Sequence, residues 1–164
     1  MKKLAIDERI ELAKQGKNLD VLVKDPSSTV RLFVLDNKRD VDLDILVNDK
    51  EHWIRCEVAE IGRDKDLDVL VKDEEPSVRR EVLNRRRKQD LDYLLTDEST
   101  IVRTKIARIG RDEDLDVLVK DEDVSVRCEV LLKKRKKDLK ILLEDEDFYI
   151  RKEAKKYLKE SEIK

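Results

Sequence analysis

The sequence is poor in most of the residues from which catalytic and cofactor sites are usually built. One Trp, three Tyr, two Phe, three Gly, two Pro, two Cys and one His are spread over 164 positions. The lone His52, with no Ser or Cys nucleophile in a recognisable frame, excludes the common catalytic triads, and no spacing of Cys and His suits a metal. There is no glycine-rich loop to cradle a phosphate and no interleaving of aromatics with cations for base stacking. Apolar runs stay well short of the ~18 residues of a membrane span, and Met-Lys-Lys-Leu leads into a charged helix rather than a signal-peptide core. The expected location is therefore cytoplasmic. An excess of charge of one sign is missing too: 38 Lys and Arg stand against 40 Asp and Glu, for a net charge of −2. No global field draws such a chain to nucleic acid or to an anionic membrane.

What the sequence does have is charge and period. Charged residues make up 48% and hydrophobic residues 39% of the chain, a balance that without pattern would imply disorder. Here the apolar residues recur in register. Leu19, Leu43, Leu67, Leu91, Leu115 and Leu139 stand 24 residues apart, and Arg31, Arg55, Arg79, Arg103, Arg127 and Arg151, each preceded by Val or Ile, keep the same step. A fixed period in the range of roughly 20–50 residues marks a solenoid, in which each unit buries its apolar face against its neighbours. The predicted layout is one repeat domain over residues 1–164, with a half-repeat cap (1–17), six repeats (18–158) and a short tail (159–164). In the cap, Ile6 and Ile10 align with Val30 and Val34, but Asp7 stands where the repeats have Arg.

Each repeat opens on Asn18, Asp42, Asp66, Asp90, Asp114 or Asp138, placed as a helix cap directly before the first Leu. A short segment follows, apolar at its first, third, fourth and fifth places (Leu67, Val69, Leu70, Val71). It is predicted to be buried on most of its circumference, as a short α-helix or a 3₁₀ turn. Such a segment also fits a strand, but a leucine-rich α/β horseshoe needs an apolar sixth place, where this chain has Lys24, Asn48, Lys72, Thr96, Lys120 and Glu144. The helical reading is preferred. Pro26 and Pro76 mark the turn to a second segment whose apolar residues, as in Ile54, Val58 and Ile61, fall at helical spacing. Gly62 and Gly110 are placed as C-caps of the second and fourth of these helices.

In its length, its L-x-x-L-V-x-D opening and its following V-R-x-x-V, the unit resembles the leucine-rich variant repeat, a relative of HEAT and armadillo solenoids. The resemblance covers about residues 18–158. It implies an all-α, right-handed superhelix of alternating α- and 3₁₀-helices, and says little about function. The prolines that the family often has between helices give way here to Lys, Arg and Asp. The cysteine cluster of an iron–sulfur centre has no counterpart.

Two sets of charges carry candidate roles. Arg in the first turn of a helix and Asp at the end of one both oppose the helix dipole, so their sixfold recurrence calls for compensation. The simplest form is a ladder pairing Asp25, Asp49, Asp73, Asp97, Asp121 and Asp145 with Arg31, Arg55, Arg79, Arg103, Arg127 and Arg151, within or between repeats. The alternative is a row of guanidiniums for phosphates. Basic clusters at Arg85, Arg86, Arg87 and Lys88 and at Lys133, Lys134, Arg135, Lys136 and Lys137 end the second helices of the third and fifth repeats, on one predicted edge. That edge offers a contact for nucleic acid or another polyanion. Trp53 and Tyr149 are candidate anchors for a protein partner, or covers over a neighbouring repeat's apolar edge. Cys56 and Cys128 stand three periods apart, beyond disulfide reach, and read as small buried residues. The expected function is non-enzymatic: a scaffold binding another protein, with polyanion binding and an enzyme using the groove as alternatives. No cofactor, metal, membrane or small-molecule ligand is implied.

Overall fold

The computed structural model of the chain describes residues 4–162. Among them are thirteen α-helices, one 3₁₀ turn and no strand, which sets the horseshoe alternative aside. The chain divides into two compact units, one ending at Arg85 and the next beginning at Arg86. The first unit holds α1 (Ile6–Lys14), α2 (Leu19–Leu22), α3 (Ser28–Leu35), α4 (Asp40–Leu46), α5 (His52–Ile61), α6 (Asp64–Leu70), α7 (Pro76–Val82) and the 3₁₀ turn Leu83–Arg85. The second holds α8 (Lys88–Leu94), α9 (Thr100–Ile109), α10 (Asp112–Leu118), α11 (Val124–Leu132), α12 (Lys136–Leu142) and α13 (Phe148–Glu162).

Short and long helices alternate within each unit, and each long helix packs on the next long one. In the first unit α1 lies on α3, α3 on α5 and α5 on α7; in the second α9 lies on α11 and α11 on α13. The core repeats with the sequence. Val30, Ile54 and Val78, and in the second unit Val102, Val126 and Ile150, are fully buried one period apart. One position alternates in size along the long helices, Leu35, Ala59 and Leu83 in the first unit and Ala107 and Leu131 in the second, all at most 1% exposed. Alternating large and small side chains at successive levels lets the layers interdigitate without voids.

The short segments α4, α6, α8, α10 and α12 are seven-residue α-helices, and their backbone corrects two sequence expectations. Each begins three residues earlier than expected, so Asp42, Asp66, Asp90, Asp114 and Asp138 occupy the third helical position rather than the cap, which falls on Arg39, Arg63, Arg87, Arg111 and Arg135. Asn18 does stand at the start of α2, but in left-handed backbone and without a side-chain cap bond. The second correction concerns burial. The first and fourth places are buried throughout, whereas the third place, Val21, Ile45, Val69, Tyr93, Val117 and Ile141, is turned outward. At 3.6 residues per turn the first, fourth and fifth places share a face, and the third points away from it.

The ends of the long helices differ from the cap pattern as well. Gly110 has φ +77°, the left-handed cap expected of it, but Gly62 has φ −69° and extended backbone. Gly62 is required for space, since a Cβ there would lie 2.3 Å from the Val58 carbonyl oxygen. The left-handed conformation is instead taken at Lys38, Arg86 and Lys134, at φ +51°, +53° and +56°. For a residue with a Cβ this conformation is strained, where glycine is at ease. Lys38 is exposed, so Lys38→Gly should raise stability by about 0.5–1 kcal/mol. A urea midpoint that rises with unchanged slope is the expected result, and Gly110→Ala should move it the other way.

Candidate functional site

The most regular chemistry of the chain is a repeated guanidinium clasp. Arg31 donates from Nε and Nη2 to the Asp49 carboxylate at 2.6 and 2.7 Å, and from Nη1 to the Asp25 carbonyl at 2.8 Å. One side chain thus ties the turn of its own repeat to the carboxylate of the next. Asp49 also accepts the Glu51 N–H at 2.9 Å, so its oxygens serve both the ladder and the start of α5. The same arrangement joins Arg55 to Asp73, Arg103 to Asp121 and Arg127 to Asp145, with Nε to Oδ2 distances of 2.6, 2.7 and 2.7 Å. The compensation expected from the sequence is therefore present, and it runs between repeats.

Each of these arginines thus grips the Asp of the following repeat rather than the one six residues before it. Asp73 is gripped by Arg55, while Arg79 donates to the Asp73 and Glu74 carbonyls. In the leading helix Arg9, two residues beyond Asp7, supplies the guanidinium for Asp25, at 2.8 Å from Nε and 3.2 Å from Nη2. In the second unit Asp97 receives the Ser99 N–H, and its carbonyl takes Nη1 of Arg103. Burial pushes the Asp145 carboxyl up, but the bonds from Arg127 and from the Asp147 N–H outweigh it and hold it below the usual carboxylate range. Among phosphate-binding possibilities the row of guanidiniums is thus largely occupied by the protein's own carboxylates.

A second set of clasps was not anticipated. Arg39, Arg63, Arg87, Arg111 and Arg135 each hold the carboxylate three residues on, from Nε at 2.6 to 2.9 Å. Those carboxylates, Asp42, Asp66, Asp90, Asp114 and Asp138, are at most 3% exposed. These arginines also reach back to the preceding short helix, as Arg39 does to Asp20, Arg63 to Asp44, Arg111 to Asp92 and Arg135 to Asp116, at 2.6 to 2.8 Å. The signal was available, because these arginines also recur every 24 residues. Two of them, Arg87 and Arg135, lie inside the basic clusters, whose neighbouring cations mask the period.

This changes the standing of the basic edge. Arg87 and Arg135 are held in clasps, and Arg85 and Lys133 cover carbonyls at the C-terminal ends of the preceding long helices, Glu60 and Arg108. Lys134 sits 3.9 Å over the Tyr157 ring. Arg86 and Lys136 are exposed, and Lys137 pairs with Asp116. Cations at helix C-termini compensate orphan carbonyls and the dipole, which is the role of Arg85 and Lys133, whereas Lys88, Lys136 and Lys137 lie in the first turn of α8 and α12 rather than at the end of a long helix as expected.

The aromatic candidates separate. Trp53, the second residue of α5, is half-buried, whereas Tyr149 is exposed beside the exposed Phe148 at the start of α13. Cys56 and Cys128 are half-buried rather than buried; Cys56 Sγ lies 3.8 Å from Ser77 Oγ, and burial pushes both thiols up. Thiols shifted that way are poor nucleophiles at neutral pH. Among the described residues no group of three or more His, Cys, Asp or Glu side chains is arranged to hold a metal ion, and no helix is long and apolar enough to cross a membrane.

The remaining feature is apolar. Val21, Ile45 and Val69 in the first unit, and Tyr93, Val117 and Ile141 in the second, are between 39% and 58% exposed, at one position of every short helix. A comparison with protein-family models finds no match, and a comparison with curated proteins finds none either.

Proposed function

We infer that the chain is a non-enzymatic scaffold that binds another protein, built as a right-handed α-solenoid of six 24-residue repeats in a single domain and similar to the leucine-rich variant repeat. The even period, the packing of each long helix on the next within each unit, and clasps that join consecutive repeats support the architectural part. Short helices that are α rather than 3₁₀ are a departure from the resemblance.

The observation that carries the binding part is the outward apolar position of the short helices. Single exposed apolar residues are ordinary on protein surfaces, but a recurrence at one helical position in every repeat multiplies the same contact along the surface. Protein partners desolvate such side chains at the centre of an interface, with a charged rim around them. Here the rim would be the clasp arginines and the Asp20, Asp44, Asp92 and Asp116 carboxylates that pair with them. A polyanion would find these guanidiniums already neutralised, which weighs against the nucleic-acid alternative.

The test is capture of partners from a lysate by the immobilised full chain, beside the variant Val21→Ser, Ile45→Ser, Val69→Ser. One protein retained at stoichiometric yield, with affinity reduced at least on the order of tenfold in the variant, is the expected outcome. The melting temperature should be unchanged, because the three side chains contribute little to the core. Retention of nucleic acid with a steep salt dependence, and of no protein, would instead favour the basic edge.

A further inference from the structure

The long helices α1, in the first unit, and α13, in the second, carry grooves of opposite charge. In the second unit a groove of about 610 Å³ runs along α13, with Arg151, Lys152, Lys155 and Lys159 around it and Glu144 as its acidic side chain. Its apolar lining is Leu143, Leu158 and the exposed Phe148. In the first unit a groove of about 520 Å³ runs along α1, where Asp7, Glu8 and Glu11 surround Leu4 and Leu12, with Gln15 at one end.

Arg151 makes the first groove more than a charged patch. It occupies the clasp position of its repeat, and its Nη1 is anchored on the Asp145 carbonyl, as Nη1 of Arg31 is on Asp25. In Arg31, Arg55, Arg103 and Arg127 the other two nitrogens, Nε and Nη2, take both oxygens of a carboxylate. Arg151 is half-buried and lines the groove. A guanidinium pre-oriented in this way, in a partly apolar setting, is a receptor for a carboxylate that arrives with apolar neighbours. The groove on α1 presents that combination, since Asp7 and Glu11 are exposed beside the half-buried Leu4 and Leu12.

We propose that the chain associates head to tail, the α13 groove of one copy receiving the α1 face of a second copy, with an α1 carboxylate in the Arg151 fork. The contact is distinct from the short-helix face and does not depend on that face binding anything. It is heterologous, because the two surfaces differ, so it generates a closed ring or an open filament rather than a two-fold dimer. Opposed charge at the rim makes it sensitive to ionic strength.

The experiment measures mass by light scattering and sedimentation for the full chain over a range of concentrations. At low salt the average mass should rise with concentration, and at high salt it should fall back to that of the monomer. Two variants reverse one groove each: Asp7→Lys with Glu11→Lys, which leaves the Glu8 bond to the Ala5 N–H intact, and Lys152→Glu with Lys155→Glu and Lys159→Glu. Each variant alone should be monomeric, with an unchanged circular dichroism spectrum, and the equimolar mixture should associate again, because the α13 groove of the first variant and the α1 face of the second are both unaltered and restore one native contact. Arg151→Lys should weaken association on the order of tenfold while leaving the net charge unaltered, because it keeps the cation and removes the bidentate fork. A wild-type chain that stays monomeric at every concentration at low salt would overturn the proposal. So would association that survives either reversal, or two folded variants whose mixture remains monomeric.

Discussion

Arg31→Met is expected to lower stability by about 3–5 kcal/mol, because it removes one partner of a buried ion pair and leaves the other charged. The Arg31 and Asp49 side chains are 6% and 5% exposed, too little for water to replace what is lost. Methionine preserves much of the packing of the stem, so the effect reports the fork rather than a cavity. The Asp25 carbonyl loses its donor at the same time. The companion variant Asp49→Asn keeps an acceptor for the Glu51 N–H but removes the negative charge. Combining it with Arg31→Met should recover a large part of the loss, since no unpaired charge is then buried. Urea denaturation of the two single variants and the double variant measures the coupling. Effects that simply add would mean that the two groups act independently and that the clasp is not a unit. The drop should persist at high salt, because a desolvated pair is weakly screened.

Excision of a whole period should be tolerated where excision of half a period is not. Removing residues 43–66 joins Asp42 to Leu67, so the Arg39–Asp42 clasp remains, Leu67 and Leu70 take the places of Leu43 and Leu46, and Asp73 becomes the carboxylate 18 positions beyond Arg31. The expected cost is local. Leu83 would follow Leu35 at the position where Ala59 stands between them, and overpacking of that kind costs about 1–3 kcal/mol. Removing only residues 43–54 deletes half as much chain but also deletes Asp49, Leu43, Leu46 and Ile54, and fuses the first turn of α4 to the middle of α5. Ile61 would then lie 18 positions beyond Arg31, where it can accept nothing from the guanidinium. Circular dichroism should show a helical, cooperatively melting chain for the longer deletion and loss of cooperative melting for the shorter one. Similar melting of both would sink the repeat reading, because contacts would then not be organised by the 24-residue unit.

Period and composition were enough to read the helices, the alternation of short and long segments, and the need for an Asp–Arg ladder, because each depends on local spacing or on a dipole that any helix has. The positions of Leu67, Leu70, Ile54 and Val58 in the core follow from the same spacing. Which Arg meets which Asp was not legible. The partner of Asp73 is Arg55 rather than Arg79, and Arg9 substitutes for the missing Arg of the leading helix. Sequence distance does not encode a pairing that spans two packed turns. Only the relative placement of consecutive helices brings a guanidinium to a carboxylate 18 residues away in one case and 16 in the other. Tertiary structure also decided the faces of the short helices. The helical start three residues upstream turned the Asp side chains from caps into buried partners of Arg39, Arg63, Arg87, Arg111 and Arg135. The third place, as apolar as its neighbours in sequence, was left facing solvent, because a helix can present only one side to the layer beneath it.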